Sequence, residues 1–230
     1  MMGKSSRILH SAIEGFIRNI AGGLGQRIRY VYYRRRFHSC GTNVRIGEGV
    51  IIENPQNISI GSDVWLLPYS ILTGPSDTPI PASRIVVRPD KIETNAPSDR
   101  LLEIGSETSL GAYNIVHGFG GLRIGSRVTT SARVSLYSFS HLPYAPDEPG
   151  LVTYANAMVR DAPIACIASP IELKDGVWLG LGVAVFGGVL GENAFVGANS
   201  VVMGNLPANT VADGSPARVK RPRFGDRQND

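Results

Sequence analysis

Aliphatic residues recur every six positions along this chain, and few folds tolerate such a spacing. Stepping by six from short Ile-Gly, Leu-Gly and Val-Gly phrases yields three blocks. The first is Ile46, Ile52, Ile60, Leu66 and Leu72. The second is Ile104, Leu110, Val116, Ile124, Thr130 and Leu136. The third is Leu173, Leu179, Val185, Leu190, Val196 and Val202. Only Thr130 among these 17 positions is not Ile, Leu or Val. Two steps are of eight residues (52 to 60, 116 to 124) and one is of five (185 to 190).

A second set lies two residues before each key position and is mostly aliphatic or small, from Val44 and Val50 through Asn114 to Ser200. Residues two apart on a strand share a face, so each step reads as a short strand with two inward side chains and then a bend. Gly follows the key position in eight of the 17 cases, where a corner demands unusual backbone angles or close approach. Three sides close a triangular coil of about 18 residues, and stacked coils give a parallel β-helix. The 17 sides predict five to six coils. A sandwich or barrel, with its irregular turns, would not hold the six-residue phase across three blocks. Spacing does not fix the handedness, and the general rule for parallel crossovers is right-handed.

Two segments break the phase and hold ten of the 15 prolines, 74–100 and 142–170. Both are predicted as long loops thrown out from the prism. Residues 1–40 form an arm of net charge +7, which leaves −3 for the rest, so the overall +4 misdescribes the body. A nucleic-acid reading needs the basic residues on the folded body, and it is set aside. In the arm, Leu9, Ile13, Phe16, Ile17, Ile20 and Leu24 follow helical spacing. Gly22, Gly23 and Gly25 weaken the helix beyond, and arginines alternate with tyrosines over 27–37. Two readings of the arm stay open together: peripheral contact with an anionic membrane surface, or packing on the open end of the prism. The expected organisation is arm 1–40, β-helix domain 41–221 and a frayed tail 222–230. Cys40 and Cys166 make neither a CxxC nor a zinc spacing, which favours a reducing compartment. Glu14 and Arg18 interrupt the early apolar stretch, so no signal peptide is expected. No run approaches a membrane span. The expected location is cytoplasmic, with the inner face of the membrane as the site of any peripheral contact.

The third block carries more than the repeat. The run "Ile171-Glu-Leu-Lys-Asp-Gly-Val-Trp-Leu-Gly180" leads to "Val196-Gly-Ala-Asn-Ser-Val-Val202" and closes with "Val211-Ala-Asp-Gly-Ser-Pro-Ala-Arg-Val219". It resembles the C-terminal half of hexapeptide-repeat O-acetyltransferases, the family of galactoside, maltose, nodulation and surface-polysaccharide acetyltransferases. The basic arm, "Cys40-Gly-Thr-Asn-Val-Arg-Ile-Gly47" and "Ile58-Ser-Ile-Gly-Ser-Asp-Val-Trp65" are most similar to the polysaccharide subgroup. The resemblance covers about 40–221 without the loop 74–100. It implies an all-β fold, a left-handed parallel β-helix, working as a homotrimer with sites between subunits. The implied reaction is acetyl transfer from acetyl-CoA, as co-substrate and without a metal, to a sugar hydroxyl of a surface polysaccharide or its precursor.

Such a transfer needs a base, because a neutral alcohol is a poor nucleophile. The family's catalytic histidine lies on a loop before the Val-Trp-Leu-Gly coil, which His141 matches, although Leu142 stands where the family often has Pro or Asp. His117 is the rival: it comes after Val116, should stack with Tyr137 on one edge, and is otherwise a solvated corner residue or an acceptor contact. Asp147, Glu148 or a backbone carbonyl could orient the base. Trp178 points outward, either as a wall of the acceptor cleft or against a neighbouring subunit. A backbone N–H near Gly180 could stabilise the oxyanion. Ala198 and Ser200 resemble residues along the pantetheine arm. Arg218, Lys220 and Arg221 fit the phosphate end of CoA, or are solvated basic residues. Asn114 is inward, either structural or in contact with the acceptor. Relatives often have Thr-Lys in place of Met203-Gly204, where the Lys helps hold CoA. A γ-class carbonic anhydrase reading lacks the paired histidines, and a non-catalytic scaffold leaves His141 without a role.

Overall fold

The computed structural model describes residues 4–76, 85–87 and 101–225, apart from 147, 149, 156–157 and 160–162. The repeat folds as a three-sided prism. The first face carries Ile46, Leu66, Leu110, Thr130, Leu179 and Val196, each in parallel register with the next. On the second face Ile52, Leu72, Val116, Leu136, Val185 and Val202 stack in the same way. Ile60, Ile104, Ile124, Leu173 and Leu190 line the third. The six-stranded second face matches the five to six coils expected. The fold is a left-handed parallel β-helix.

All 17 key positions and all 17 of their inward companions are buried. The one polar key residue is explained by an inward neighbour. Thr130 Oγ1 accepts a hydrogen bond from Asn114 Nδ2 and another from Gly111 N–H at 3.1 Å. Asn114 Oδ1 accepts Val134 N–H at 2.9 Å. Buried polar groups persist when paired in this way. At Gly105 an added Cβ would stand 2.5 Å from the Gly125 carbonyl carbon of the next coil, so crowding rather than an unusual backbone angle selects Gly there. Other corners use short amides in the left-handed region, such as Asn43 (φ 54°), whose Nδ2 donates to Asp63 Oδ1 at 2.6 Å.

Every departure from the six-residue step falls on one edge, between the second and third faces. The eight-residue steps place an Asn54–Asn57 turn and a Gly118–Gly121 turn there. Both long segments also leave the prism from this edge, after Leu72 and after Leu136. They are not plain loops. Phe139–Leu142 pairs antiparallel with Ala165–Ala168, which pairs parallel with Ile85–Val87, so the two insertions make a small three-stranded sheet. The rest of 74–100 beyond Ser76, and Asp147, lie outside the described residues.

The arm forms two helices, α1 (Lys4–Arg18) and α2 (Gly22–Tyr33). The helical stripe breaks ahead of the glycines, since α1 ends at Arg18, and α2 starts afresh at Gly22 (φ 71°) and includes Gly23 and Gly25. A side chain at 25 would collide with the Ile20 carbonyl, so Gly25 lets α2 start against the end of α1. The open end of the prism is covered by α2 and the turn after it, where Tyr33 and Phe37 join the core. Arg29, fully buried, donates from Nε to Ile46 O (2.9 Å) and from Nη1 to the carbonyls of Ile17 (3.0 Å), Arg18 (3.2 Å) and Ile20 (2.7 Å). Of the apolar stripe, for which both readings were open, only Ile17 is buried; Leu9, Phe16 and Leu24 are exposed. No described helix is long and apolar enough to cross a membrane. At the other end, Thr210–Gly214 and Ala217–Pro222 form a hairpin that extends the first face. The expected tail starts late, since Arg223 Nη1 donates to Gly176 O and Asn193 O; residues 226–230 lie outside the described residues.

Candidate active site

The irregular edge carries side chains at every corner position, where the other two edges mostly carry Gly. Glu53, Thr73, His117 and Tyr137 succeed one another in register there. Thr73 Oγ1 donates to Glu53 Oε2 at 3.2 Å. The His117 ring stacks on Tyr137 with centroids 5.6 Å apart and planes at 16°. Phe119, thrown out by the eight-residue step, lies 4.6 Å from His117, and Phe139 lies 6.3 Å from it. Phe186 continues the column, 6.3 Å from Tyr137. Ser138 fixes the turn: its Oγ donates to His117 O at 2.8 Å and accepts Gly120 N–H at 3.0 Å.

His141 stands exposed on the Phe139–Leu142 strand, opposite the buried Cys166. It is thus on a paired strand rather than a free loop. Leu142, the residue that departs from the family pattern, takes part in this pairing, and its carbonyl accepts the Thr153 hydroxyl. His117 is half-buried, which corrects the solvated-corner alternative. Burial holds its pKa below the ordinary imidazole value; Glu53 opposes this and nearby His141 reinforces it. Its Nδ1 is buried with no hydrogen-bond partner among the described residues. The two histidines are therefore gathered at one edge with an aromatic wall. Glu148 is exposed, and its carbonyl accepts Leu151 N–H.

Other expected site residues are spread more widely. Asn114 is an interior residue with its amide satisfied at both ends, so its role is structural and not acceptor contact. Ser200 is also interior, its Oγ accepting Gly214 N–H at 3.1 Å, which corrects its placement along the pantetheine. Gly180 N–H is spent on Val196 O at 2.8 Å, so this amide is not an oxyanion donor. Trp178 is 43% exposed on the first face, between Thr129 and Phe195. The first face lies across the prism from the His141 edge, so one chain does not bring Trp178 to His141. Ala198 is exposed at the corner after Val196, also away from that edge. Arg218 is brought toward the edge: with Met203, Gly204 and Pro216 it lines a cavity of about 350 Å³. Met203 comes directly after Val202, at the end of the His117 column. Lys220 pairs with Asp213 at 3.1 Å, and Arg221 is exposed on the same hairpin strand. Among the described residues no group of three His, Cys, Asp or Glu side chains could hold a metal ion.

Sequence reasoning missed Phe119, Phe139 and Phe186 as site neighbours. A signal was available for two of them: Phe119 sits in an eight-residue step, and Phe186 comes after a key position where Gly is common.

The triangular parallel coil is the fold of hexapeptide-repeat acetyltransferases of known structure, and the chain has that fold. No known family model matches the chain. The galactoside O-acetyltransferase of Lactococcus lactis is 46% identical over 52 residues, 22% of this chain and 25% of that protein. The chain spans about a quarter of the length of the first curated relatives it matches. An N-acyltransferase, AntD of Bacillus cereus, solved with dTDP and coenzyme A, superposes with a TM-score of 0.65 at 24% identity over 85% of this chain and 90% of that one. A maltose O-acetyltransferase of Clostridium difficile superposes with a TM-score of 0.53 at 21% identity, over 92% and 83%. At these identities the two superpositions establish likeness of fold.

Proposed function

We propose that the chain transfers an acetyl group from acetyl-CoA to a sugar hydroxyl, with His141 as the base. The observation that carries this reading is His141 itself, held out on a paired strand beside a wall of His117, Phe119 and Tyr137. In the step, His141 takes the hydroxyl proton as that oxygen bonds to the thioester carbonyl carbon. The C–S bond then breaks, and the proton passes from His141 to the departing thiolate. Aromatic rings present apolar faces that suit the C–H face of a pyranose. The cavity at Arg218 lies farther along the same edge and would take the phosphate end of the donor. The galactoside and maltose enzymes among the likenesses support a sugar acceptor.

The working unit in this reading is a homotrimer. Trp178 and Ala198 belong to the first face and its corner, opposite His141, so they reach a His141 site only from a second copy. The acceptor is a sugar of a surface polysaccharide or its precursor, met at the inner face of a membrane against which the arm lies.

Thiol release from acetyl-CoA, assayed against sugars with free hydroxyls and against amino sugars, tests the reading. Release with hydroxyl sugars is expected. Release with amino sugars alone would make the chain an N-acyltransferase, and none with any acceptor would favour the scaffold reading.

A further inference from the structure

The arm leaves a groove of about 1550 Å³ between α1, α2 and the Asn54–Gln56 turn. Its apolar side includes Ile13, Leu24, Ile28 and Val31. Leu24 is 69% exposed. An exposed apolar surface of this kind calls for an occupant. Its polar side is basic. Arg27 and Arg35 are exposed, and among the described residues neither forms an ion pair. Arg36 is already matched by Glu14 at 2.5 Å, so the groove keeps a positive excess. Apolar walls beside unmatched guanidinium groups complement an alkyl chain that bears a phosphate.

The groove also has an address. The Asn54–Gln56 turn that walls it comes directly after Glu53, at the foot of the column that climbs through Thr73 to His117. Two ladder steps, roughly 10 Å, separate Glu53 from His117. Both eight-residue steps of the repeat are thus used on one edge, one to wall the groove and one to build the aromatic wall beside His141.

We propose that this groove binds the phosphate-bearing alkyl chain of an amphiphilic acceptor, whose sugar lies along the edge at His141. The choice of acceptor rests on the acetyl-transfer reading; the binding of the chain does not.

Calorimetry of the full-length protein with dodecyl phosphate below its micelle concentration tests the groove. Wild type is expected to bind it, and to bind inorganic phosphate or dodecyl glucoside at least tenfold more weakly. Arg27→Glu/Arg35→Glu and, separately, Leu24→Asp/Val31→Asp are each expected to weaken dodecyl phosphate tenfold or more. All four residues are exposed, so melting temperatures should be unchanged. In transfer assays the same variants should raise KM for an alkyl-phosphate-linked sugar without changing kcat, and leave a soluble sugar unaffected. Equal binding of inorganic phosphate, binding to anionic vesicles alone, or insensitivity to both double variants would overturn the proposal. If dodecyl phosphate binds as expected and no acceptor is acetylated, the groove stands and the transfer reading falls.

Discussion

His117 shows how one residue can serve both stability and a site. Its lowered pKa means that the unfolded chain binds a proton more readily than the folded one. Stability from this group is therefore fully present above the ordinary imidazole value of about 6.5 and is lost as pH falls below it. His117→Gln should flatten that part of the acid-side decline, read as the difference in urea midpoint between pH 7.5 and pH 5 for variant and wild type. Equal declines would show that the imidazole is not the group responsible. The stacked position of His117 and Tyr137 was legible from the sequence, because Val116 and Leu136 both end a coil. The half-burial was not, since it depends on Phe119 and Phe139 folding back from segments outside the repeat.

The arm is the element whose role the sequence left divided. Helical spacing found α1 but could not say what would cover its stripe. The structure closes the prism with Arg29, Tyr33 and Phe37 of the next stretch, and half of the stripe stays exposed. Arg29 binds four carbonyls from a buried position, and hydrogen bonds to charged groups contribute more than neutral ones. Arg29→Met would strand these carbonyls and should cost on the order of 3 kcal/mol, read as a lower urea midpoint at unchanged m-value. An unchanged midpoint would mean that the arm does not cap the prism. The small sheet of the two insertions was beyond the sequence for another reason. Its pairing joins residues far apart in the chain, and no repeat links them.

At the scale of the whole molecule, the hexapeptide phase carried nearly everything about the prism. Every key position it named is interior, including Thr130, whose polarity is met by Asn114. The irregularities carried the rest. None of the eight corner glycines falls on the edge between the second and third faces, which bears Glu53, Thr73, His117, Tyr137, Phe186 and Met203 instead. Less legible was how Trp178 and Ala198 relate to His141, because one chain holds them apart. A homotrimer that joins them predicts complementation. Mixing His141→Ala with Trp178→Ala, each dissociated and reassembled, should recover transfer above the sum of the two alone, with light scattering reporting three copies. No recovery would place each site within a single chain.

The base assignment is the centre of the account, and acetyl-CoA binding measured beside thiol release tests it most directly. Calorimetry should give the same donor affinity for wild type and His141→Ala. With an active sugar, release by the variant should fall by about 10²–10⁴-fold, the usual contribution of a general base. A variant that binds donor and keeps the wild-type rate would contradict the account, and the base would then have to be sought elsewhere on the same edge, first at His117.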